Sequence, residues 1–476
     1  MSDNSVVSAP ELSSLQHMIE KAGRDQARVF EYDITVVTPM FGGSSETSKV
    51  HPKHPIRTAS IRGHLRFWWR ATRGAACTTV DELRMREVAI FGDTQTPSRV
   101  KVLVEPGTSS PMLVEAKELN KRGRPVFKSR LPLYALFPFT EKDVKYLDKY
   151  TFKLCIRYNE VSSNSTDNPN GIFSLQQLQE ELNAALWAWI NFGGIGSRTR
   201  RGCGSLFCPN FSPRMGQPLD RWYREQQQRY KLNLLPLGKF RDWPTLSQEL
   251  RFVKPDVASR KSQMVAWKDV IDTYHCFRQK RNFKQGEVKR SLWPEPDSLR
   301  RITKMAMDEH KDLFTLKSEE LEYAFPRAQF GLPIITEFKG RNQGEPYKTE
   351  IVPEGKNRLS SPLILKVIAH SYNKGTGAII VLNQRPLTRL SIIRIGKAET
   401  PRHHEVDSIL SALNLSNEHI YPHLKYVKSP MKDQQDKPTS SAIKAFLASK
   451  EVQNWKDGRP NKMPSFNSNN QNHNKR

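Results

Sequence analysis

The chain has 476 residues, enough for two or three domains with sizeable cores, and its 75 lysines and arginines against 49 acids give a formal charge of +26 and a pI of 9.8. That balance points to a polyanionic partner, and a membrane surface remains compatible with it. No run of about 18 apolar residues offers a membrane span, the N-terminus lacks a signal-peptide pattern, and five scattered cysteines fit neither a disulfide framework nor a paired CxxC zinc site, so a reduced, cytoplasmic protein is expected.

Residues 1–26 are polar and read as a loosely held helix or tail. Tyr32, Ile34 and Val36 alternate with Glu31, Asp33 and Thr35, which predicts a half-buried strand over Val29–Val37. MFGGSSET supplies loop residues, and HPKHP (His51–Pro55) is too proline-rich to be regular. SIRGHLRFWWRATRG (Ser60–Gly74) predicts a helix with Ser60 as N-cap and Gly74 just past its end. Ile61, Leu65, Trp68 and Trp69 share one arc, and Arg62, Arg66, Arg70 and Arg73 fill the next. The indoles are therefore expected inside and the guanidinium groups outside, on a face suited to phosphates.

Strands are expected near 98–104 and 150–158, and an amphipathic helix after Ser174 ends at Gly193. GSLFCP suits a closing strand. From 211 to 312 the chain is charged and reads as mostly helical, with one helix marked by Trp267, Val270, Ile271, Tyr274 and Phe277. Its basic run Arg278–Arg290 suits a solvated face or linker, with direct RNA contact as the alternative. LILKVIAHS and AIIVLNQ flank YNKGTG as a hairpin, and LSIIRIG (Leu390–Gly396) reads as a further strand. Beyond 428 the chain is polar, with one short helix around Ile443, Phe446 and Leu447, and NSNNQNHNKR reads as disordered. The layout is two β/α modules separated by a charged helical insertion.

The loop GGIGSRTRRGCGS (Gly193–Ser205) carries five glycines and three arginines. Glycine permits positive φ and close backbone approach, and arginine forks bind phosphate bidentately. The loop lacks the GK[ST] ending and the G-x-G-x-x-G spacing, and it follows a helix instead of preceding one, so neither standard nucleotide site applies. A structural turn with incidental arginines is the competing reading. RGCGSLFC echoes a sheet-face RNA motif faintly but lacks its aromatics, so backbone-directed binding fits better. His51, Lys53 and His54 have the chemistry for metal-free RNA cleavage, although such residues in a proline-rich loop usually have no catalytic role. No histidine pair or carboxylate cluster has metal-site spacing.

ITVVTPMFGG, PIRTASIRGHLRFWWRA, NFGGIGSRTRRGCGSL, FPRAQFGLPI and RLSSPLILKV together resemble the RAMP superfamily of CRISPR effector proteins, and within it the group of Cmr subunit one of type III-B complexes. The resemblance implies an α+β chain with two ferredoxin-like (RRM-like) domains. Its bounds here are 27–210 and 313–428, an insertion at 211–312 and a mostly disordered tail at 429–476. It implies a non-catalytic capping subunit that holds the 3′ region of the guide RNA and the paired target RNA, with other RAMP subunits as partners. No cofactor, metal, membrane or small-molecule substrate is implied. Carried onto this sequence, the RNA-facing residues are Arg57, Arg62, Arg66, Arg70, Gly194, Gly196, Arg198, Arg200, Arg201 and Gly202, with Arg327 and Arg358 as weaker phosphate ligands. A metal-independent endoribonuclease that processes guide precursors and a basic protein-interaction scaffold are the two rival readings.

Overall fold

The computed structural model describes residues 28–461 apart from 45, 47–48, 108–109, 137–138, 140–142, 159–172, 255–260, 282–289, 315–322, 398 and 424–428. The expected N-terminal tail, the terminal polar segment and most of the basic run after Arg278 lie outside the described residues.

The first module follows the chain through β1 (Arg28–Val36), α1 (Thr58–Ala71), α2 (Val80–Phe91) and β2 (Val100–Pro106). An excursion then carries β3 (Leu113–Glu115), β4 (Lys117–Leu119), β5 (Pro125–Phe127), α3 (Leu133–Leu136) and β6 (Lys145–Leu147). The module closes with β7 (Thr151–Tyr158), α4 (Leu175–Phe192) and β8 (Leu206–Phe207). Its sheet has the antiparallel order β2–β7–β1–β8, which makes the set β1–α1–β2–β7–α4–β8 a ferredoxin-like βαββαβ unit. The alternation read in β1 sends Tyr32, Ile34 and Val36 into the core. A reciprocal capping box between Ser174 and Gln177 starts α4. Ser60 is not the cap of α1. The helix begins two residues earlier at Thr58, and its N-cap Arg57 makes no side-chain capping bond.

The rest of the chain forms α5 (Leu219–Arg229), β9 (Thr245–Phe252), α6 (Gln263–Arg278), α7 (Glu295–Thr303), β10 (Ile334–Thr336), β11 (Thr349–Pro353), β12 (Leu363–Ala369), β13 (Gly375–Asn383), β14 (Leu390–Arg394), α8 (Pro401–Ala412), α9 (Asn417–Ile420), α10 (Ala442–Ala448) and α11 (Lys450–Lys456). The second sheet has the order β12–β13–β9, and β10–β11–β14 form a third. This corrects two expectations. The stretch 211–312 is not a helical insertion, because β9 pairs with β13 as a strand of the second sheet and α6 packs on that sheet. The chain after 428 is not mostly disordered either, because α10 and α11 bury Phe446, Val452 and Trp455 against α6. Burial of these few side chains at roughly 1.5–3 kcal/mol each is enough to order a short, otherwise polar stretch.

Both faces of β12 and β13 are buried. Ile364, Ile368, Ile380 and Leu382 join the core of the first module with α1 and α4. Leu363, Leu365, Val367, Ile379 and Val381 join the core over α6, α10 and α11. The α1/α4 layer is thus sandwiched between the two sheets. The outer face of the first sheet carries Val29, Arg157 and Lys101, then Glu31, Cys155 and Leu103, then Asp33, Lys153 and Glu105 in register. These rows hold no aromatic and balance three acids with three bases, and the aromatic of the next row, Phe207 opposite Thr35, is buried against Tyr372, so the face offers no open platform for stacking bases.

Candidate nucleic-acid interface

Three loops meet at the N-terminus of α1. Ser197 donates its N–H to the Phe41 carbonyl at 2.6 Å. Gly43 lies so close to the Gly-rich loop that a Cβ on it would stand 3.6 Å from the Gly196 Cα and 3.8 Å from the Pro55 carbonyl. Gly196 itself holds φ +84°, and a Cβ there would fall 2.6 Å from the Phe41 carbonyl. Glycine is required where these backbones touch. The first turn of α1 contains no acid, its N-cap side chain makes no capping bond, and Arg57 stands exposed beside it. A helix start of this kind presents N–H groups and a positive dipole end to an anion.

Along α1 the indoles are inside, Trp68 at 3% and Trp69 at 0% exposure. Trp69 Nε1 donates to the buried Glu181 at 2.7 Å. The guanidinium row is half-buried and braced by α2. Arg62 donates to the Phe91 carbonyl. Arg66 Nε and Arg70 Nε reach the two oxygens of Glu87 at 2.6 and 2.7 Å, and Arg73 Nε reaches Glu181 at 2.8 Å. Arg66 and Arg70 therefore do not stand as free phosphate ligands, since one buried carboxylate offsets one of their two charges. Both side chains stay about 40% exposed. Four residues per step on a helix is a 6 Å spacing, so Arg62, Arg66 and Arg70 present a regular cationic row with a net charge of +2 after Glu87.

The arginines of the Gly-rich loop turn inward, contrary to the outward placement expected for them. Arg198 donates to the Ala135 carbonyl, Arg200 to Ser361, and Arg201 Nη1 to Leu363 at 3.1 Å. Burial pushes the Arg200 guanidinium down to about 10, with Arg201 adding to the effect, and burial also lowers Arg198. The partners Ser361 and Leu363 lie at the start of β12, so the loop ties the first module to the second. Gly194 and Gly202 are buried and serve this packing. A Cβ on Gly194 would sit 2.8 Å from the Gly204 carbonyl, and one on Gly202 would sit 2.6 Å from the Trp267 ring. Trp267 Nε1 donates to the Arg201 carbonyl at 2.7 Å. Lys366 of β12 is fully buried and donates to the Gly193 carbonyl at 2.6 Å, at the C-terminus of α4.

The Gly-rich loop packs against α1. The Arg200 guanidinium lies 5.9 Å from the centre of the Phe67 ring on α1, and a Cβ on Gly193 would press on Trp68 Nε1. Of the weaker candidates, Arg327 is a buried structural ion pair with Glu295 at 2.9 Å, which removes it as a free surface ligand, and Arg358 is exposed. His51 Nδ1 accepts backbone N–H groups from Lys53 and His54 at 3.3 and 3.0 Å, so that nitrogen is not available as a general base. Among the described residues no group of three His, Cys, Asp or Glu side chains could hold a metal ion, and no helix is long and apolar enough to cross a membrane. Sequence reasoning missed the Gly43 contact, Glu87 and Lys366. Of these only Lys366, a charge inside the apolar run LILKVIA, left a signal.

The first module is a ferredoxin-like unit whose last helix runs through a Gly-rich loop into its fourth strand, and residues 33–207 match the RAMP superfamily. Within that class the chain is similar to subunit one of the Cmr system. It is 27% identical over 182 residues to CRISPR system Cmr subunit Cmr1-2 of Pyrococcus furiosus, covering 37% of this chain and 92% of that protein. It is 29% identical over 152 residues to Cmr1-1 of the same organism, covering 32% of this chain and 40% of that protein. The crystal structure of apo Cmr1 from Pyrococcus furiosus superposes with a TM-score of 0.43 at 17% identity, over 81% of this chain and 96% of that one. A chain of a type III-B Cmr-beta complex bound to cognate target RNA superposes with a TM-score of 0.42 at 13% identity, over 81% and 99%.

Proposed function

We propose that this chain is a non-catalytic, RNA-holding subunit of a type III-B CRISPR ribonucleoprotein, capping the assembly at the 3′ region of the guide RNA and its paired target. The relatives named as Cmr subunits supply the assembly, and the sequence resemblance supplies the place within it. The observation that carries RNA binding is the α1 N-terminus. There an uncapped helix start, the touching backbones of Gly43 and Gly196, and the exposed Arg57 come together, with the half-buried Arg62 one turn further along α1, and neither arginine has a carboxylate partner among the described residues. Backbone N–H groups and arginines at such a corner hold phosphates irrespective of base, which suits a subunit whose sequence choice is left to guide–target pairing.

The pairing of Arg66 and Arg70 with Glu87 is the observation that favours the rival scaffold reading, in which the arginines only brace α1 on α2. Affinity purification of the tagged chain from its own cells separates the two. A short guide RNA together with several RAMP proteins supports the proposal, and recovery without any nucleic acid refutes it.

A further inference from the structure

The far end of α1 borders a cavity of about 370 Å³. Its walls are Arg73 just past α1, Met85 and Arg86 of α2, Phe173 and Glu181 from the start of α4, and Lys231 just past α5. Met85 is 54% exposed and the Lys231 side chain is exposed too, so the cavity reaches solvent between them. The 14 residues of α1 rise about 21 Å, which sets this cavity well apart from the Arg57 corner.

Charge in the cavity does not balance at its floor. The Glu181 carboxylate is buried and already taken: Oε1 accepts from Nε and Nη2 of Arg73, and Oε2 accepts from Trp69 Nε1 at 2.7 Å. Arg73 spends its remaining Nη1 on the Tyr230 carbonyl at 2.9 Å. Arg86 is left with the remainder. Its Nη2 stands 3.5 Å from the same Glu181 Oε1, and its buried Nε has no hydrogen-bond partner among the described residues. The neighbouring Cys77 thiol is pushed up by burial and so brings no negative charge. Two guanidinium groups thus share one carboxylate, and one positive charge is left over at Arg86, whose side chain is 23% exposed. That guanidinium lies 5.5 Å from the centre of the Phe173 ring, so the spare charge adjoins apolar surface. The other acids of the lining are engaged elsewhere, Glu82 by the Thr78 N–H at 2.8 Å and Glu180 by Lys231 at 3.9 Å.

We propose that this cavity binds a single carboxylate carried on an aromatic or aliphatic body, with the Arg86 guanidinium as its counterion and Phe173 and Met85 against the body. A half-buried guanidinium is stabilised by an anion that hydrogen-bonds it, and a planar carboxylate matches its fork. One unit of negative charge matches the one left over, whereas the nearby Glu82 and Glu180 repel a doubly charged phosphate. The flexible Met85 thioether fits bodies of varied shape. Two sources carry this chemistry, a free organic acid and an acidic side chain of a neighbouring protein. The site goes beyond the RNA-holding reading and does not rest on it.

The test uses the full chain and two probes of one shape, phenylacetate and the neutral phenylacetamide. With the methionine methyl groups isotope-labelled for NMR, phenylacetate should shift the Met85 signal saturably, with a Kd on the order of 1–10 mM. The amide should bind about tenfold more weakly, and Arg86→Gln should bring the acid down to the level of the amide. Should Arg86→Gln fail to fold, Met85→Glu places a like charge at an exposed position of the mouth and should weaken the acid about tenfold by saturation-transfer NMR. Equal binding of acid and amide, no saturable shift of Met85, or acid binding that survives both substitutions overturns the site. Tighter binding of acetyl-Phe-Glu-amide than of phenylacetate assigns the carboxylate to a neighbouring protein, and any other order assigns it to a free organic acid.

Discussion

Lys366→Met probes the joint between the two modules. The ammonium is fully buried, with the Gly193 and Ile190 carbonyls at 2.6 and 3.3 Å as its bonds and no carboxylate partner among the described residues. Burial pushes its pKa from 10.5 down to about 7. Between those values the unfolded chain holds a proton that the folded chain lacks, so this residue makes stability rise with pH from about 7 upward. The full slope is about 1.4 kcal/mol per pH unit. At pH 7 the folded lysine is still about half protonated, so the slope starts at about half its full value and the mean from pH 7 to pH 9 is roughly 1 kcal/mol per unit. Methionine matches the chain length, carries no charge and leaves two carbonyls short of a donor, a cost of about 1–3 kcal/mol. Urea unfolding at pH 7 and pH 9 should therefore show the natural chain gaining on the variant by about 2 kcal/mol over that interval. A stability difference that is identical at the two pH values refutes a desolvated lysine at the joint.

Three further outcomes follow from the packing. Trp68→Ala should cost about 3–5 kcal/mol in chemical denaturation, because the indole is buried between α1 and α4; an unchanged midpoint with lost RNA affinity would make it a stacking residue instead. Gly202→Ala should lower the melting temperature by several degrees, since φ is +78° and the new Cβ meets the Trp267 ring and the Leu365 carbonyl; a neutral result would show that the loop does not tie the modules. In RNA titrations, Arg66→Ala should lower affinity less than Arg62→Ala, because Glu87 already offsets charge at Arg66 and Arg70 and not at Arg62; equal losses would mean that RNA displaces Glu87.

Much of the first module was legible because its signals are periodic. The alternation over β1, the arc of Ile61, Leu65, Trp68 and Trp69, and the run from Leu175 to Trp189 each bury what their spacing predicts. β9 was missed because TLSQELRF mixes polar and apolar residues and becomes a strand by pairing with β13, a contact more than 100 residues away that no local pattern encodes. The helices after Ala442 were undersold because few apolar residues suffice when a core already waits for them. The surroundings of the site residues were illegible for a different reason. Composition shows that Arg66, Arg70 and Arg198 are charged, but whether a guanidinium meets water, a carboxylate or a carbonyl depends on Glu87 and Ala135, which the fold alone brings near. Arg57 was carried by motif, and its place at an uncapped helix start is what gives it physical content.

The most direct test of the account is the salt dependence of RNA binding by the natural chain and by Arg57→Ala/Arg62→Ala. With about 0.7 counterions released per phosphate neutralised on a single strand, the double variant should bind more weakly and its log–log slope should fall by about 1.4. A slope identical to that of the natural chain would mean that no phosphate rests at the start of α1.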